Sequence, residues 1–185
     1  MKRFVEARTG GETVAGDGVL FLREQQIRLA QELMLLVWLD MGQAVSPVLT
    51  QFGLGVAQHR ALQMLAFQPG LTVGELQGVL GVTKQSLART LTELQERSLV
   101  RIEQGRQDRR QRFLFLSDDG AEIEAQLFAV QRERMVAAYR EAGGNAVQGF
   151  RQVLQGMLSE DSRAFLMRQE RQTRETVRGA RRDGQ

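Results

Sequence analysis

The stretch LTVGELQGVLGVTKQSLARTLTELQERSLVRI, residues 71–102, constrains the fold more than any other. Thr72 and Glu75 stand three apart, the spacing at which a hydroxyl and a carboxylate cap each other's backbone N–H groups. A short helix is therefore expected over Val73–Leu80, ended by Gly81. Thr83 is placed to cap a second helix, Lys84 to about Ser98, after a turn of two or three residues. With Leu87 pointing inward, Leu91 and Leu94 fall within roughly 40° of it at 100° per residue and complete a buried stripe. The opposite face carries Gln85, Arg89, Thr92, Glu93 and Glu96, with Ser86 beside them. Neutral and basic donors occupy its first two turns and acids its last two, as suits a helix that meets a polyanion with its N-terminal half.

Two short helices joined by a tight turn, the second presenting donors, form a helix-turn-helix arrangement. The runs LVRIE (99–103) and RFLFL (112–116) follow, both of strand length and rich in Val, Ile, Leu and Phe. With Gln104 and the tip GRQDRRQ (105–111) between them they read as a hairpin. A helix-turn-helix followed at once by a hairpin is a winged helix.

Around this lobe the pattern is helical. Leu29, Leu33, Leu36, Val37, Met41, Ala44 and Val48 follow three- and four-residue steps, predicting a long amphipathic helix over about 20–50 that Pro47 should kink or end. A second helix over about 56–67 places Val56, Leu62, Leu65 and Ala66 inward. After the hairpin, Ser117 can cap a helix whose first turn holds Asp118 and Asp119, where the helix dipole favours acids. That reading is preferred to a metal site. The helix should reach about Glu141, break at AGGN, and give way to a last helix over about 146–168 in which Phe150, Val153, Leu154, Met157, Phe165 and Leu166 are apolar. Residues 1 to about 18 read as a disordered arm, and the chain beyond Arg171 as a frayed basic tail. The fold class is thus mainly α with a small antiparallel β-wing. The expected division is 1–19 arm, 20–52 N-terminal dimerisation helix, 53–119 lobe, 120–171 C-terminal helices, and 172–185 tail.

Composition narrows the chemistry. The chain has no cysteine, which excludes a thiol nucleophile, a thiol switch and a Cys-based zinc site. No catalytic carboxylate pair, nucleophile–base set or phosphate loop appears, so neither an enzyme nor a cofactor is expected. There is no secretory signal pattern and no unbroken apolar run of 18 residues, since LMLLVWL is cut at Asp40. A soluble, cytoplasmic protein without a membrane partner is expected. Net charge is only +3, but its distribution is uneven: Lys84–Arg112 holds eight basic and four acidic residues, and Arg168–Gln185 six and three.

The segments GLGVAQHRALQML, LTVGELQGVLGVTKQSLARTLTELQERSLVRI and DRRQRFLFLSDDG together resemble the MarR family of bacterial transcriptional regulators, over about Leu54–Ala125. Gly55 and Ser98 depart from the pattern, which often has a capping Thr or Ser at the first position and commonly a Gly at the second. The resemblance implies a homodimer with interlaced N- and C-terminal helices and two lobes on a pseudo-palindromic site in double-stranded DNA.

Roles follow from chemistry and from the resemblance. Arg89 suits a bidentate contact with guanine and Gln85 one with adenine, while Thr83, Lys84 and Ser86 suit phosphates near the helix N-terminus. The bland reading of Arg89 is an ion pair with Glu93, four residues on. By the resemblance, Arg110 enters the minor groove, Asp108 shapes the tip, and Arg106, Arg109 and Arg112 add phosphate contacts. Met34, Trp38, Met41 and Phe52 are explained more simply by core packing than by a cavity of the kind in which this family often holds small aromatic or amphipathic effectors. His59, the one histidine, cannot make a His-ligated metal site alone and reads as structural before it reads as a sensor or effector contact. The competing function is a winged-helix module that grips another protein through its long helix or basic tail. The donor-rich helix face favours DNA.

Overall fold

The computed structural model describes residues 15–105 and 111–168, with side chains from residue 23 onward. The expected tail, 172–185, lies outside the described residues, as do 1–14 of the expected arm 1–19 and 106–110 of the tip; residues 15–19, expected in the arm, are already helical. By internal contacts the chain divides into two compact units, Met1–Gln43 and Ala44–Gln185.

Helix α1, Ala15–Gln51, supplies the described part of the first unit. Every side chain from 23 to 40 is exposed, including Leu33, Met34, Leu35, Leu36, Val37, Trp38 and Leu39. Over Leu33–Leu39, seven consecutive apolar residues, the helix is apolar all round where a single stripe was expected. Arg23–Gln51 is also long enough to cross a membrane, and its most apolar 18-residue window has a mean hydropathy of 1.4. Asp40 interrupts the apolar run without lowering the mean of that window far enough to exclude a span.

In the second unit α1 runs through Pro47 rather than ending there. Its end is closed four residues later: Gly53 is left-handed at φ 58° and Leu54 N–H donates to the Leu49 carbonyl at 2.8 Å. Helix α2, Val56–Phe67, buries His59, Ala61, Leu62 and Leu65. Val56 and Ala66 are exposed instead of inward. At 100° per residue Val56 lies about 120° from Leu62, and buried Ala61 and Leu65, about 140° and 100° from Ala66, draw the inward direction away from it.

The two short helices form as their sequence dictates. In α3, Val73–Leu80, the Thr72 hydroxyl accepts from Glu75 N–H at 3.2 Å and Glu75 Oε2 accepts from Thr72 N–H at 2.9 Å. Gly81 ends it at φ 63°. Helix α4, Lys84–Glu96, is capped by Thr83 and buries Leu87, Thr90, Leu91 and Leu94. Ser98, where the family favours glycine, is left-handed at φ 57°.

The hairpin pairs β2, Val100–Gln104, with β3, Arg112–Leu116. A third strand, β1 at Leu71–Thr72, adds to β3 and gives the order β1-β3-β2. Two residues are too short for a period-2 signal, so β1 was not expected.

Helix α5 spans Asp118–Met157, capped by the Ser117 hydroxyl, with Asp118 and Asp119 in its first turn. Gly120 is required there, since a Cβ would stand 2.1 Å from the Leu99 carbonyl oxygen. The expected break falls at Gly143, φ 79° and ψ 165°, with Tyr139 and Phe150 in edge contact across it at 6.4 Å. The helix after the break does not run on to 168. It ends at Met157, Ser159 caps a new turn through Ser162 N–H at 3.2 Å, and 160–168 form a separate short helix. Phe165 of that helix is buried, its ring 6.0 Å from Phe67. Phe150, Val153, Leu154 and Met157 are exposed.

Candidate nucleic-acid interface

Three buried leucines seat α4 on the lobe, so its other face is fixed outward. Thr83, Lys84, Gln85, Ser86 and Arg89 all stand exposed on its cap and first two turns. Thr83 Oγ1 accepts from Ser86 N–H at 3.2 Å, which leaves its hydroxyl proton for an acceptor outside. The Ser86 carbonyl accepts from buried Thr90 at 3.1 Å, and the Ser86 hydroxyl remains on the surface. This array of donors lies at the end of α4 where backbone N–H groups are unpaired and the dipole favours an anion.

Arg89 makes the contact that its bland reading requires: Nε donates to Glu93 Oε1 at 2.9 Å. The arginine side chain is 83% exposed and the acid 36%, so solvent screens the contact, and an isolated surface pair of this kind is worth about 0.3–0.5 kcal/mol. Such a pair does not compete seriously with a phosphate or a guanine edge.

The hairpin reaches its tip with register intact. Gln104 pairs with Arg112, and Gly105 N–H donates to the Gln111 carbonyl at 3.0 Å. Arg112 is thus held at the foot of the tip, exposed. Arg106, Asp108, Arg109 and Arg110 fall outside the described residues. The hairpin is packed below them: Val100 and Leu114 are buried, and Arg101 lies over its cross-strand partner Phe115, 4.7 Å from the ring centroid. Arg101 also pairs with Glu103.

Two residues with structural roles at this site were not singled out from sequence. Arg97, at the end of α4, donates to the carbonyls of Phe52 and Gly53 and ties α4 to the turn between α1 and α2. Gln58, on α2, bonds to Glu93. Both contacts join residues more than thirty positions apart, and no local pattern encodes them.

The five effector candidates divide between the two units. Met34, Trp38 and Met41 belong to the first, where Met34 and Trp38 are exposed. Phe52 and His59 belong to the second, Phe52 packed against the core and His59 buried. Burial, aided by the Arg60 charge, holds the His59 pKa below its usual 6.5. A cavity of about 330 Å³ lies elsewhere, between α3 and residues 159–168, with Glu75, Val79, Ser159 and Phe165 in its wall.

A sequence model of the MarR family matches residues 52–111. The HTH-type transcriptional regulator PetP of Rhodobacter capsulatus is 46% identical over 149 residues, spanning 80% of this chain and 87% of that protein. A MarR-family regulator from Silicibacter pomeroyi superposes with a TM-score of 0.62 at 28% identity, over 70% of this chain and 87% of that one. A mutant of MarR from E. coli, complexed with operator DNA, has a TM-score of 0.55 at 21% identity, over 72% and 96%, and shares the fold.

Proposed function

The chain belongs to the MarR family of DNA-binding transcriptional regulators, and on that premise we propose that it acts as a homodimer on a pseudo-palindromic operator. Helix α4 enters the major groove and the hairpin tip the adjacent minor groove. The observation that carries this reading is the outward face of α4, where Lys84, Gln85, Ser86 and Arg89 stand exposed above a buried leucine stripe.

Arg89 reads guanine and Gln85 adenine; Thr83, Lys84 and Ser86 hold phosphates. Arg110 enters the minor groove beside Asp108, with Arg106, Arg109 and Arg112 on the flanking backbone. Residues 20–52 and 120–171 form the dimer, with 53–119 as the DNA lobe and 1–19 and 172–185 as terminal arms. A small aromatic or amphipathic effector is part of the same proposal. Function in the cytoplasm follows from an operator as target.

Duplexes selected from a random pool, with affinity read by fluorescence anisotropy, test the reading. Arg89→Ala should cost about 1–3 kcal/mol and relax preference at one base position per half-site. Arg110→Ala should weaken binding to every duplex and lower the salt slope by about one unit. Equal affinities in wild type and both variants would overturn it.

A further inference from the structure

Glu93 sits on the acidic half of α4, where an acid close to a DNA-reading arginine is at first sight misplaced. Its partners account for it. One carboxylate oxygen, Oε1, accepts from Arg89 Nε at 2.9 Å. The other, Oε2, accepts from Gln58 Nε2. Gln58 in turn accepts the Gly55 backbone N–H on Oε1 at 3.0 Å. A continuous chain of hydrogen bonds therefore runs from the backbone that starts α2, through Gln58 and Glu93, to the arginine on the exposed face of α4.

We infer that Gln58 and Glu93 are positioning residues that preset Arg89 for base recognition, an inference that rests on the DNA reading above. The geometry gives three reasons. First, Arg89 is gripped through Nε, so the outer edge of the guanidinium, with its parallel Nη donors, is left for the two acceptors of a guanine. Second, Glu93 is itself held by a partner on another helix, so the carboxylate is a fixed support and not one half of a mobile surface pair. Third, a long side chain ordered before binding loses less rotamer freedom on binding, which sharpens its preference for the correct base. The glycine at 55 fits this arrangement. A Cβ at that position would stand 2.9 Å from Gln58 Oε1, so the glycine leaves Gln58 room to reach back to the Gly55 N–H with its amide nitrogen turned toward Glu93.

The test measures a ratio in the full-length protein. The duplex selected by wild type is compared with the same duplex carrying adenine in place of the guanine at which Arg89→Ala loses its preference. Gln58→Glu keeps an acceptor for the Gly55 N–H but has no donor for Glu93, so it separates the capping role from the relay. Glu93→Ala breaks the relay from the other end at a half-buried helical position, where alanine is a good helix former. Both variants should retain folding and lower the guanine-to-adenine affinity ratio about three- to tenfold. The added or lost charge acts alike on both duplexes and cancels in the ratio. Ratios within twofold of wild type in both variants overturn the relay while leaving the DNA reading intact. A drop in Glu93→Ala alone overturns the role of Gln58. Failure of wild type to select any duplex, or of Arg89→Ala to change any preference, overturns the DNA reading and the relay with it.

Discussion

His59 is the chain's one histidine, and its surroundings decide its charge. Burial comes first and the Arg60 charge second in lowering its pKa, so the folded chain binds this proton less readily than the unfolded chain does. The resulting stability is complete above the usual value of 6.5, and it is lost progressively as pH falls from there toward the lowered folded-state value. Thermal melts between pH 7.5 and about 5 should therefore show a falling midpoint, and His59→Gln should flatten that part of the profile. An unchanged profile in the variant would remove histidine titration as its cause. That His59 is buried was not visible in the sequence, where a lone histidine on a helix has no face until its neighbours are placed. Thr72, Glu75, Thr83 and Ser117 behaved oppositely. Each cap joins residues three apart, and the structure forms each one as the spacing implies.

At the level of elements, legibility followed contact range. Helices α2 and α3 begin and end where caps and glycines place them, and the hairpin keeps the alternation of Val100 and Ile102 against Leu114 and Leu116. The third strand needed β3 to exist first. The break before Ser159 was legible but passed over: a serine ahead of Glu160 and Asp161 is a helix-start signal, hidden inside an apolar period that carries on to Phe165. Ser98 closes α4 in the left-handed region at φ 57°, where an L side chain is disfavoured by about 1 kcal/mol or more. Ser98→Gly should accordingly stabilise the lobe and raise the melting midpoint by about 2–4 °C. A midpoint that stays level or falls in calorimetry would show that Ser98 holds its turn by a contact worth more than the strain.

For the whole molecule the deciding feature is apolar surface. Leu33 to Leu39 on α1 and Phe150, Val153, Leu154 and Met157 on α5 are exposed in the single chain, more than an isolated soluble protein commonly leaves open. The proposed second copy covers these faces, and Asp40 argues against the alternative that α1 lies in lipid, where a mid-span acid is costly. Sedimentation of the chain at micromolar concentration should give twice 20.8 kDa. A species of 20.8 kDa without detergent would overturn the dimer, and recovery only with membranes would favour lipid.

The amino-acid sequence by itself determined what short-range chemistry can encode: the capped helix pair, the donor-bearing face of α4, the hairpin, and the family resemblance carried by their order. Only the tertiary structure decided which groups meet across distance. Gln58 reaches Glu93 from another helix, Arg97 ties α4 to the turn between α1 and α2, and 160–168 return to α2 with Phe165 on Phe67. Local spacing repeats along the chain and can be read there. Contacts between residues far apart depend on how faces are turned by the packing of everything between them, and no periodicity records that.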